Sequence, residues 1–127
     1  MPAKRAYLVL LGIAIAPAAL ADAASEIATA ADHAGYAAAS QNIDGIHMHL
    51  HHAVNCLEGP KGKDFDPAVE NPCAKDGKGA IPDASDIATR TKLEAALATA
   101  LAGIAADDSG AAKKDATDLY AALRAMR

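Results

Sequence analysis

Apolar residues along this chain recur every three or four positions nearly everywhere except between Gly59 and Asp83. That spacing is the signature of helices with one buried face. The clearest case is Ile43–Glu58, where Ile43, Ile46, Leu50, Ala53, Val54 and Leu57 form one stripe at about 100° per residue. His47, His51 and Glu58 line one border of it. His49 and Cys56 line the other, with His52 slightly further round. Upstream, Ile27, Ala31, Ala34 and Ala38 predict a helix over Ser25–Ser40, with His33 and Tyr36 off its seam. Ser40-Gln41-Asn42 then turns the chain and offers Asn42 or Asp44 as the next N-cap, while Gly59-Pro60 ends the histidine helix.

Residues 59–83 hold four prolines and several glycines, which excludes a long helix or a central strand. Two further helices follow. In the first, Ile87, Leu93, Leu97, Ala100, Leu101 and Ile104 make the stripe, with Asp83 or Ser85 as cap. After a polar turn at Asp107–Gly110, Ala112, Ala116, Leu119, Tyr120, Leu123 and Met126 make the second. Two helical hairpins joined by a long Gly/Pro-rich loop predict an all-α fold, an up-down four-helix bundle over residues 22–127.

The first 21 residues change the setting. Lys4 and Arg5, an apolar run of about ten residues and Ala19-Leu20-Ala21 have the three parts of a cleaved signal peptide. Export to the periplasm, or secretion, is the expectation, with no membrane span left after cleavage. Loss of Lys4 and Arg5 makes the mature chain two charges more negative than the −4 of the full sequence. Nucleic acid is therefore not an expected partner. With one Phe and no Trp, the core must be built from Ala, Leu and Ile. Such a core buries little area per residue, and a covalent staple would help it. Cys56 and Cys73 are the only cysteines, and in an oxidising compartment they are expected to pair, pinning the loop to the histidine helix.

Four of the five histidines fall within six residues. Imidazole suits Cu(II), Ni(II) and Zn(II). Because side chains at i and i+4 lie over one another, His47 and His51 form the first expected pair of ligands, with His33 as third donor and Glu58 or Asp44 completing the shell. His49 and His52 are auxiliary. His52, His49 and Cys56 form a second constellation if the sulfur is a free thiolate. Met48, pointing away from the core, offers a soft thioether for Cu(I). No serine or cysteine has a base and orienting acid beside it, so no enzyme is expected.

At His33-Ala34 and His52-Ala53 the chain resembles the small metal-binding proteins, His-rich periplasmic four-helix bundles that bind copper and other divalent metals. The resemblance implies the bundle and a metal-binding role. The second hairpin departs from the pattern: Ala96, Ala112, Lys113, Lys114 and Asp115 stand where ligands would be, so a site is expected on the first hairpin alone. Sequestration or buffering of a divalent Cu, Ni or Zn ion is the leading expectation. A non-catalytic envelope module, using the stapled loop to engage a protein partner, is the alternative; a b-type haem held between a histidine and Met126 is the third.

Overall fold

A computed structural model describes Gly12 and residues 18–127, with side chains from Ala23 onward. The leader expected at residues 1–21 lies outside these, apart from Gly12 and the opening turn of the first helix. The described residues are all-helical: α1 (Ala18–Ala39), α2 (Ile43–Glu58), α3 (Ala80–Asp83), α4 (Ile87–Ala105) and α5 (Ser109–Arg124). No helix among them is long and apolar enough to cross a membrane.

Local chemistry sets most of the helix ends. The Asn42 side chain accepts from Gly45 N at 2.8 Å and caps α2; Asp86 and Asp108 do the same for α4 and α5 through Thr89 N and Ala111 N. The cap of α4 is thus Asp86, the residue just after the two expected, because its carboxylate stands three positions before the amide that needs an acceptor. At the other end of α2, Gly59 N donates to Asn55 O.

The four long helices pack as a ring in which α1 lies against α2 and α5, and α4 lies against α5 and α2. Their shared core contains Ile46, Leu50, Leu57, Leu93, Leu119 and Leu123, with alanines of α1, α4 and α5 between them. Small residues on facing helices let the backbones approach, as at Gly103, where a Cβ would come within 2.7 Å of Leu50 Cδ1. Two positions of the expected stripes lie outside this core. Ile87, in the first turn of α4, is 80% exposed, and Tyr120 stands at the surface.

The segment expected as a loop over 59–83 contains one short helix, α3, and is tied down throughout. Cys56 and Cys73 are joined by a disulfide across a Cα separation of 5.1 Å. Asn55, fully buried, places its side-chain amide like a peptide rung: Nδ2 donates to Asp66 O at 3.0 Å and Glu70 O at 3.2 Å, and Oδ1 accepts from Asp66 N at 2.9 Å. At the far end of the segment, Lys78-Gly79 crosses Glu58-Gly59 with no room for side chains. A Cβ on Gly59 would meet Lys78 O at 1.8 Å, one on Gly79 would meet Glu58 O at 2.4 Å, and both glycines have positive φ. Glu26 of α1 completes the join by accepting from Gly79 N at 2.8 Å.

Candidate metal centre

Every histidine in the chain lies on α1 or α2, and the packing of these two helices sorts them into two groups. With the apolar stripe of α2 turned to the core, the border carrying His49 and His52 meets α1, and there His33 reaches across. His33 Nδ1 lies 3.3 Å from His49 Nδ1 and 3.2 Å from His52 Nδ1. One ring nitrogen from each of the three lies within 4.8 Å of the others, a group that can hold a metal ion. Ring centroids are 4.9–5.6 Å apart, and the pairs containing His52 are edge-on.

The other border faces elsewhere. His47 Nε2 is 2.9 Å from the carbonyl of Ala106, just past the end of α4. His51 Nδ1 stands 4.0 Å from Asp66 Oδ2, on the loop side of the molecule, beyond hydrogen-bond range. The expected core of the site, His47 and His51 joined by His33, is therefore replaced by His33, His49 and His52. The i, i+4 argument was sound for the spacing along α2, but α1 packs on the opposite border. Glu58 is also not beside the cluster: its Oε2 accepts from Asp64 N at 2.7 Å and helps shape the loop. Cys56, in its disulfide, has no thiolate to offer, which removes the constellation of His49, His52 and Cys56. Met48 points outward, 46% exposed, as expected.

The surroundings of His33 and His52 favour neutral imidazole. His33 is pushed down to about 4, first by burial and then by the charges that His52 and His49 would carry; the Glu70 and Asp32 carboxylates oppose the shift. His52, only 8% exposed, is lowered by burial and by His49, again against Glu70. The contacts say the same. Two facing nitrogens 3.2–3.3 Å apart can share one proton, whereas protonation of both sets N–H against N–H. A metal ion needs the lone pairs that this arrangement keeps free.

The separation between nitrogens is informative. Two ligands held ~2.0–2.1 Å from one ion in a tetrahedral shell lie about 3.3–3.4 Å apart, while neighbours in a square plane lie about 2.9 Å apart. The observed 3.2 and 3.3 Å are close to the tetrahedral value. Tyr36, one turn along α1 from His33, forms a rim, its ring 5.4 Å from that of His33 and 5.5 Å from that of His49. The sequence placed Tyr36 off the seam; its contact with two imidazoles depends on the same packing of α1 on α2.

The fold and the cluster thus define a class: an all-helical protein with a three-histidine group between two helices. Comparison with family models, with characterised proteins and with solved structures gives no match.

Proposed function

We propose that the chain binds one divalent transition-metal ion through His33, His49 and His52, and that it serves as a metal-sequestering or metal-buffering protein of the periplasm. The observation that carries this reading is the convergence of three imidazole nitrogens, two contacts of 3.2 and 3.3 Å meeting at His33 Nδ1. Burial and crowding lower the proton affinity of His33 and His52, and this lowers the competition a cation must overcome at those two rings. Zn(II) and Cu(II) suit imidazole, with Ni(II) weaker than Cu(II) in the usual order. The spacing of the nitrogens favours Zn(II), which has no preference for a square plane. Export rests on the leader-like first 21 residues. An up-and-down order of the four long helices belongs to the same reading and is supported by the short turns within each hairpin and by the packing of α1 on both α2 and α5.

Calorimetric titration of the untagged chain with Zn(II), Cu(II) and Ni(II) tests the proposal. One equivalent should bind, and His33→Ala should abolish the strong phase, because it removes the nitrogen at which both contacts meet. Unchanged affinity in His33→Ala would defeat the site.

A further inference from the structure

Where the long segment returns to the bundle, two carboxyl groups hold neighbouring amides. Asp83 Oδ2 accepts from Lys78 N at 2.7 Å, and Glu26 Oε1 accepts from Gly79 N at 2.8 Å. Consecutive residues span at most about 3.6 Å, so this shared footing sets the two acidic groups side by side, within hydrogen-bonding reach of each other. Glu26 is fully buried, and its Oε2 receives no hydrogen bond. Two carboxylates in such a spot cannot both ionise without a large cost. One proton removes both difficulties: carried on Glu26 Oε2, it makes that atom a donor to Asp83 and cancels the repulsion. Burial keeps it there, pushing Glu26 up to about 7 against the Gly79 N–H. The other charged groups nearby give no relief. Asp76 of the loop adds negative charge, Lys78 is exposed, and Glu58 of α2 turns its carboxylate to Asp64 N. Arg127, beyond α5, reaches α1 only at Asp32, six residues further along.

We propose that Glu26 and Asp83 form a one-proton latch that fastens α3 and the Lys78-Gly79 crossing to α1, and that release of the proton lets the stretch between Cys73 and Asp86 open while the bundle stays folded. The stretch has fixed ends. Cys73 is bonded to Cys56, and Asp86 caps α4 through Thr89 N. Between them only Gly79, Ala80 and Ala84 are buried, so little apolar area opposes the opening once the acid pair lets go. The latch does not depend on the metal-binding reading, since Glu26 stands seven residues before His33.

Native-state hydrogen exchange of the full chain, without added metal, tests the latch on wild type, Glu26→Gln and Asp83→Asn. In wild type the Lys78, Gly79, Asp83 and Ala84 amides should be less protected than amides in the middle of α4 and α5, the mark of an opening that leaves the bundle intact. Corrected for intrinsic rate, their protection should fall by up to tenfold per pH unit between 4.5 and about 7, the limit for one linked proton, and then level off. In Glu26→Gln the side-chain amide accepts from Gly79 N and donates to Asp83 at every pH, so protection should stay high and flat. In Asp83→Asn the new amide can donate to an ionised Glu26, so the carboxyl carbon resonance of Glu26 should titrate at lower pH and the slope should shrink. Segment amides as protected as those of α4 and α5, a slope that survives Glu26→Gln, or a Glu26 titration unmoved by Asp83→Asn would each overturn the latch.

Discussion

Glu26 is the most unusual single residue in the molecule. It is fully buried, one oxygen accepts from Gly79 N, the other has no partner, and its pKa is pushed up to about 7 by burial, with Asp83 and Asp76 adding to the shift against the Gly79 hydrogen bond. Its effect on stability has a definite sign. Below the ordinary value of 4.5 folded and unfolded chains both carry the proton; between 4.5 and about 7 the unfolded chain releases it and the folded chain keeps it. Stability from this group is therefore lost as pH rises through that window. His33 has the opposite slope. Folded, it stays neutral down to about 4, while the unfolded ring protonates below 6.5, so its contribution is lost as pH falls. Glu26→Gln should remove the first slope and leave the second. Urea midpoints of wild type and variant measured from pH 4.5 to 7.5 will show this, since the gap between the two curves must widen in the variant's favour as pH rises.

Among the elements, α2 was the most legible in the sequence and the most misleading about chemistry. Its start at Asn42 and its end at Gly59 follow from local hydrogen bonding, and its apolar stripe follows from periodicity alone. Both borders of the stripe carry histidines, however, and nothing in a helical repeat says which border its neighbour will cover. The packing of α1 decided it, giving His49 and His52 to His33 and turning His47 toward Ala106. Asn55 escaped notice for a related reason: its partners, Asp66 and Glu70, are set by the course of the loop. The cysteine pair was legible because only one pairing was possible. Closing the intervening segment, a sequence separation of 17, should contribute about 3 kcal/mol in the chain-entropy model. A Cys56→Ala, Cys73→Ala double variant should lose an amount of that order in denaturant unfolding, with helical content largely retained below the transition.

At the scale of the whole molecule, a core made mainly of alanine and leucine leaves room for a bound ion to matter. An ion that binds only the folded chain stabilises it by about 2.7 kcal/mol at a hundred times its dissociation constant. For a domain of this size that is a rise in Tm of roughly 10 °C or more. Scanning calorimetry with Zn(II) should show the rise in wild type and in a His47→Ala, His51→Ala double variant, and its loss in a His49→Ala, His52→Ala double variant. The first double variant also separates the cluster seen in the fold from the pair that spacing alone suggested. The helical class and its hairpins could be read from the order of apolar positions, whereas the site could not, because it exists only where two helices meet.

The sulfur bond between Cys56 and Cys73 has one last consequence. Lys61 and Lys63 are exposed within the stretch it spans, natural points of attack for a trypsin-like protease. A break there would separate the polypeptide into two pieces that remain covalently one molecule, with the imidazoles all on one piece. Under non-reducing conditions scission would add only the mass of one water and release no fragment, and the two pieces would separate only once a thiol reagent was added.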